Sequence, residues 1–221
     1  MKSNPVKNRA YLALFTVMFV LIVDQVIKIM VKTHMLLHEK IEIASWFQIY
    51  FVENEGMAFG MDFIGTSILS VFRIVAVIGF GYLLVKTIRK KYPMGFIFCF
   101  SLVLAGAAGN IIDNCLYGLI FEPSMPIGYG FSPAEIVSLG DGYGSFLSGK
   151  VVDMFYFPLF VWPESFPLVG GDIFFSAIFN FADAAISCGA VAMLLFYHSC
   201  LTMPGNEKQT ESQKELEGKD L

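Results

Sequence analysis

Four apolar stretches, at about 10–31, 64–85, 93–112 and 172–197, constrain this chain more than any other feature of its sequence. Each approaches the ~20 residues that a helix rising 1.5 Å per residue needs to cross ~30 Å of hydrocarbon. The expected fold is therefore an all-α membrane protein, a four-transmembrane-helix bundle. Composition agrees: of 221 residues, 56% are hydrophobic and only 15% charged, far from a soluble average. No period of 20 to 50 residues recurs, so one integral membrane domain is expected over 1–203, followed by a polar cytoplasmic tail at 204–221. Lys2, Lys7 and Arg9 before the first apolar run imitate a secretory leader, but no small-x-small cleavage site follows. The run reads as a retained span.

Lysine and arginine set the expected orientation. They cluster before the first span and at Lys86, Arg89, Lys90 and Lys91 between the second and third, whereas the long segment after the third holds only Lys150. Basic residues stay on the cytoplasmic side, so both termini should lie there. Two segments then face outward. The first, about 32–63, is rich in β-branched and aromatic residues between Ile41 and Val52 and should form a short strand or hairpin, a small extracytoplasmic β-rich element. The second, about 113–171, is punctuated by Pro123, Pro126, Gly128, Gly130, Pro133 and Gly140, which indicates turns in a long extracytoplasmic loop. The net charge of −4 gathers in the tail, and with no basic face there is no nucleic-acid partner to expect. Cys99, Cys115, Cys188 and Cys200 lack paired spacing and read as packing residues.

Charged and amide side chains inside hydrocarbon are costly, which makes each a functional hypothesis with a partner to be found. Counted from the cytoplasmic ends, Asp24 lies ~21 Å deep, Arg73 ~20 Å, Asn110 ~26 Å and Asp183 ~21 Å. One polar layer near the outer surface is the expectation. Asp153, in Gly149-Lys-Val-Val-Asp153, should sit where the outer segment returns to the membrane, within reach of that layer, and each of Asp153 and Asp183 is the other's best partner. His34, His38 and His198 form no H-E-x-x-H arrangement, so neither a metal nor another cofactor is expected. A proton-coupled transporter is the rival reading; against it, the polar groups form one outer layer instead of a path to both faces.

Five short motifs occur in order along the chain: Asp24-Gln-Val-Ile-Lys28, Asn54-Glu-Gly-Met-Ala-Phe59, Gly106-Ala-Ala-Gly-Asn110 with Asp113, Val151-Val-Asp153, and Phe179-Asn-Phe-Ala-Asp-Ala-Ala-Ile186. Together they resemble the lipoprotein signal peptidase family, also called signal peptidase II. The resemblance implies a bacterial cytoplasmic-membrane aspartyl endopeptidase that removes signal peptides from diacylglyceryl-modified prolipoproteins immediately before the lipidated cysteine. It implies Asp153 and Asp183 as the catalytic pair. Asp24, Lys28, Asn54, Gly56, Ala58, Gly106, Gly109, Asn110, Asn180 and Ala182 would shape or support the site, in a monomer whose partners are its lipidated substrates and the surrounding membrane lipid. Two departures stand out. The family usually has arginine after the aspartate of the Gly-Asn-x-x-Asp motif, where this chain has Asn114, and Arg73 is the candidate substitute. About thirty extra residues, roughly 119–149, precede Asp153, and the family pattern assigns them no role.

Overall fold

The structure, a computed structural model, describes residues 4–54, 66–129 and 132–202. Gly56, Ala58 and the polar tail lie outside the described residues. Helix α1 spans Pro5–His34, opened by the Asn4 side chain accepting the Val6 N–H at 3.0 Å. Its buried positions, Ala13, Thr16, Val20, Asp24, Lys28, Val31 and Lys32, recur every three or four residues. They form one stripe, polar at its C-terminal half. Large apolar side chains such as Leu14, Phe15, Met18, Ile22, Val26 and Met30 point the other way and are exposed. The helix turns its polar side to protein and its apolar side outward, as lipid requires.

Helix α2 (Thr66–Arg89) is followed by α3 (Met94–Ile112), which runs into a π-helical turn, Asp113–Tyr117, and a last short turn, α4 (Gly118–Ile120). Helix therefore continues into the segment expected to be turns, because Gly and Pro accumulate only after Phe121. Helix α3 is central and packs against α1, α2 and α5. The last apolar stretch differs more from expectation. Residues 172–180 are not helical; they hold β5 (Ile173–Phe174) and β6 (Ile178–Phe179), and α5 covers only Phe181–Phe196. An apolar run has the same hydropathy whether it spans lipid or pairs as a strand, so periodicity could not separate the two. Three described helices are long and apolar enough to cross a membrane; α5, at 16 residues, is shorter.

An antiparallel sheet caps one end of the helices in the order β1-β2-β3-β6, with β1 Lys40–Ala44, β2 Phe47–Asn54 and β3 Val151–Tyr156. The expected hairpin at 41–52 is β1 and β2. Val152 and Met154 of β3 join Val31, Met35, Phe51, Tyr117 and Phe121 in a buried cluster that fixes the sheet on the ends of α1 and α4. Asp153, one residue out of phase, faces the opposite way. The extra residues after Ile120 are strapped across the end of α1. Leu37 donates to the Met125 carbonyl and its own carbonyl accepts from Ile127, both at 2.9 Å. Buried Lys32 pairs with Glu53 and Ser124, and its ammonium lies about 5 Å from the Phe121 and Tyr143 rings.

Close helix contact depends on two glycines. A Cβ on Gly106 would lie 2.2 Å from the Ala182 carbonyl oxygen, and one on Gly189 would lie 2.6 Å from that of Cys99. Both contacts join α3 to α5 through backbone, which cannot swing aside. Gly106→Leu is expected to separate these helices and lower stability by about 1–3 kcal/mol, the range for overpacking. Thermal unfolding in detergent would show the loss, whereas the same substitution at Gly79, where nothing lies within 4 Å, should leave the midpoint unchanged.

Candidate active site

The polar stripe of α1 supplies a buried ammonium. Lys28, fully buried, lies 3.0 Å from Asp24 and 2.6 Å from Asp113, and donates to Asn110 Oδ1 at 2.8 Å. The Asp24 contact follows from helical i, i+4 spacing. Those to Asp113 and Asn110 bind α1 to α3. The π-helical turn widens the backbone at the end of α3, and Asp113, Asn114 and Tyr117 are all buried within it. Gln25 completes the group: its amide nitrogen donates to Asp113 at 2.9 Å and to Asp24 at 3.1 Å, and its oxygen accepts the Tyr117 hydroxyl at 3.1 Å. Gly109 is required here because a Cβ would lie 2.8 Å from Asp24 Oδ2.

From this cluster the hydrogen bonds lead to the start of α5. Asp24 Oδ1 accepts the Ala182 N–H at 2.9 Å, the side chain of one helix satisfying an unpaired amide of another. Asn110 donates to Asp183 Oδ1 at 2.8 Å. Asn180 caps α5: its Oδ1 accepts the Asp183 N–H at 2.9 Å while Asp183 Oδ2 accepts the Asn180 N–H at 3.2 Å, a reciprocal capping box with aspartate in the Glu position. Asp183 is thereby locked in rotamer and half-exposed.

Sheet pairing delivers the other carboxylate. Antiparallel β3 and β6 pair Phe155 with Phe179, so Asn180 emerges from β6 beside β3. Its side-chain nitrogen donates to Asp153 Oδ1 at 2.7 Å and to Asn110 Oδ1 at 3.1 Å. On the other flank Asn54, paired with Val151, lies diagonally across the same face and donates to Asp153 Oδ2 at 3.4 Å. Burial, and after it the charge of Asp183, push the Asp153 carboxyl from an ordinary 3.8 up to about 7. One asparagine thus touches both aspartates, and Asp153 is poised to hold a proton near neutrality.

The structure brings Asp24, Lys28, Asn54, Gly106, Gly109, Asn110, Asp153, Asn180, Ala182 and Asp183 into one connected arrangement. Arg73 reaches it indirectly, donating to Asn114 Oδ1 at 3.0 Å, and Asp183 is the carboxylate whose charge it feels. Asn114 in turn donates to the Gly149 carbonyl at 2.7 Å and accepts at its own carbonyl from the Gly149 N–H, fixing the chain just before β3. Gln25 and Asp113 were not singled out as site residues from the sequence. Asp113 stands one helical turn beyond Asn110, and that spacing was the available signal. Among the described residues no three His, Cys, Asp or Glu side chains are grouped to hold a metal ion.

Comparison with known proteins bears on this geometry. A family model described as "Signal peptidase (SPase) II" matches residues 16–199. The lipoprotein signal peptidase of Porphyromonas gingivalis is 45% identical over 199 residues, covering 88% of this chain and 86% of that protein. That of Amoebophilus asiaticus is 30% identical over 195 residues, covering 83% and 76%. A solved bacterial membrane enzyme, determined by the in meso method at 2.3 Å, superposes with a TM-score of 0.57 at 22% identity, over 86% of this chain and 89% of its own. The last is a likeness of fold.

Two outcomes follow from the site's electrostatics. Lys28→Met leaves Asp24 and Asp113 buried without their cation and should destabilise the protein by about 3–5 kcal/mol, read as a lower unfolding midpoint in detergent. Between about pH 4 and 7 the folded chain holds a proton on Asp153 that the unfolded chain has lost. Stability therefore falls as pH rises through that window. Asp153→Asn should flatten this part of the stability profile, and an unchanged slope would contradict the assignment.

Proposed function

The chain belongs to the signal peptidase II family, and on that premise we propose that it is a membrane aspartyl endopeptidase cleaving diacylglyceryl-modified prolipoproteins immediately before the lipidated cysteine. The observation that carries the mechanism is the placement of Asn180, which donates to Asp153 and caps a helix together with Asp183. Two carboxylates so close cannot both ionise cheaply and share one proton. Asp153, deeper and raised to about 7, holds it. Asp183, half-exposed at a helix N-terminus, takes a proton from the attacking water as the new C–O bond forms. Asp153 gives its proton to the carbonyl oxygen. When the C–N bond breaks, the leaving amine takes the proton held by Asp183, and reclosure of the carbonyl returns the other to Asp153. Asn110, Asn180 and Asn54 keep both carboxylates in place through this exchange.

The membrane frame is part of the same proposal. Helices α1, α2, α3 and α5 are the four spans, both termini are cytoplasmic, and the sheet lies at the extracytoplasmic end of the bundle with the loop at 121–150 beyond it. Residues 1–203 act as one monomeric domain. At that depth the substrate's acyl chains remain in lipid while its scissile bond meets the aspartates. Arg73 supplies, from α2, the cation that the family's motif carries where this chain has Asn114, and it acts on the ionised Asp183.

Purified protein in detergent, incubated with a diacylglyceryl-modified prolipoprotein, should release the signal peptide. Folded Asp153→Asn and Asp183→Asn should each lose at least about 10²-fold in rate, since proton transfer contributes about 10²–10⁴-fold. Activity retained by either would exclude the paired mechanism. The wild-type rate should decline as pH is raised through about 7, where Asp153 loses its proton. Arg73→Gln should slow cleavage and Arg73→Lys, which keeps the charge, should retain more of it; an unchanged rate in Arg73→Gln would deny the cation its role.

A further inference from the structure

Between β3 and β6 the chain runs through residues 157–177, whose composition is extreme even here. Glu164 and Asp172 are the only charges, Lys and Arg are absent, and Phe157, Leu159, Phe160, Val161, Trp162, Phe166, Leu168, Val169, Ile173, Phe174 and Phe175 fill most of the rest. The segment is an ordered hairpin. Strand β4 (Phe160–Val161) pairs with β5, Phe160 opposite Phe174 and Val161 opposite Ile173. Trp162 donates to the Asp172 carbonyl at 2.9 Å and its carbonyl accepts from Gly171 at 3.0 Å. Phe160 stacks on Phe174 with centroids 4.7 Å apart, and Trp162 packs on Phe166 at 4.9 Å.

This stacking holds the hairpin together but does not cover it. Leu168 is fully exposed, Val161 is 60% exposed, and Leu159, Phe160, Phe166 and Phe175 are each nearly half exposed. A contiguous apolar surface of this kind marks an interaction site. Backbone strain points the same way. Leu168 (φ 72°) and Phe175 (φ 61°) adopt the left-handed conformation that suits glycine, yet both carry large apolar side chains held outward. Phe175 meets Phe179 edge-on with centroids 6.0 Å apart, yet 46% of it stays exposed, and Leu168 is not covered at all.

The length of α5 says what covers this face. Sixteen residues rise ~24 Å, short of a hydrocarbon core of ~30 Å. If α5 starts from the inner surface, its N-terminus stops below the outer one, and the apolar hairpin that leads into it through β6 occupies the remaining depth. Its character matches that of the exposed sides of the helices, where Phe72 and Val75 of α2 are likewise uncovered.

We infer that the β4–β5 hairpin inserts into the outer leaflet and is covered by phospholipid acyl chains, with Trp162 at the interface. The inference rests on the membrane placement proposed above. Tryptophan prefers that interface, and the absence of cations makes the insertion apolar in origin, independent of anionic lipid and of salt. One end of the segment is the strand of Asp153 and the other leads to Asn180 and Asp183. Its insertion therefore sets both carboxylates at a fixed depth relative to the acyl chains of a lipidated substrate.

The test uses fluorescence and is independent of cleavage. The full chain has two tryptophans, so Trp46→Phe leaves Trp162 as the sole emitter in phosphatidylcholine vesicles. Its emission should be blue-shifted, strongly quenched by lipids brominated near the glycerol end of the acyl chain, and several-fold less sensitive to aqueous acrylamide than in the denatured protein. Added phosphatidylglycerol or salt should change none of this. A control carrying Trp46→Phe, Trp162→Phe and Phe72→Trp reports embedding of α2. Quenching by bromolipid in the control but not at Trp162 would overturn the inference while leaving the membrane placement intact. Shielding of Trp162 from both quenchers would overturn it too, by showing protein, such as a second copy, on that face. An unquenched control would instead reject the membrane placement itself.

Discussion

The ammonium of Lys28 is the group on which the rest of this structure depends. It is buried among three oxygen-bearing side chains, and no apolar residue could replace it without leaving Asp24 and Asp113 charged and unpaired. Through it α1 and α3 are joined at one depth. Through Asp24 and Asn110 the same cluster reaches the first turn of α5. A buried ion pair is a weak source of stability, since removing the charges from water offsets most of their attraction. What it supplies here is register: sliding α1 by one turn against α3 would strand three charges in an apolar environment. The close approach at Gly106 and Gly109 permits that register, and the ion cluster selects it.

The sheet solves a second problem, bringing a carboxylate from a strand to one on a helix. Val152 and Met154 anchor β3 in the apolar cluster, and the two-residue alternation of a strand then obliges Asp153 to face away from it. Pairing with β6 places Asn180 alongside. Asn180 belongs at once to the sheet's continuation, to the cap of α5 and to the polar network, and Asp183 serves as N3 of the capping box. Structural and proposed chemical roles therefore coincide in these residues instead of competing. A helix N-terminus favours a carboxylate in its first turn for its own electrostatic reasons, and the protein places Asp183 there with its rotamer already fixed.

Much of this was legible in the sequence, and for identifiable reasons. Asp24, Arg73, Asn110 and Asp183 stood out because ionisable and amide groups are rare in hydrocarbon, and counting 1.5 Å per residue put them at similar depths. The hairpin at 40–54 was announced by β-branched and aromatic residues. The boundary of α5 was not legible. Ile173-Phe174-Phe175 and Ala177-Ile178-Phe179 are as apolar as any span, and only their partners, Phe160, Val161, Phe155 and Tyr156, make them strands. The continuation of α3 through Asp113–Tyr117 was hidden as well, since a π-helical turn has no spacing signal of its own. Gln25 was overlooked because a glutamine beside a charged residue looks like a solvated neighbour until Asp113 and Tyr117 are seen to enclose it.

The sequence by itself determined that this chain needs lipid, that its rare polar residues form a set, and which short motifs they belong to. Those are properties of composition and of distance along a helix, and both can be counted residue by residue. The tertiary structure alone decided that Asn180 lies between Asp153 and Asp183, that Arg73 bonds to Asn114, and that the residues before α5 form an exposed apolar hairpin. Each of these depends on strand pairing and helix contact between residues far apart in the chain. Hydrogen bonds and ring stacking across such distances follow from three-dimensional closure, which no local pattern encodes.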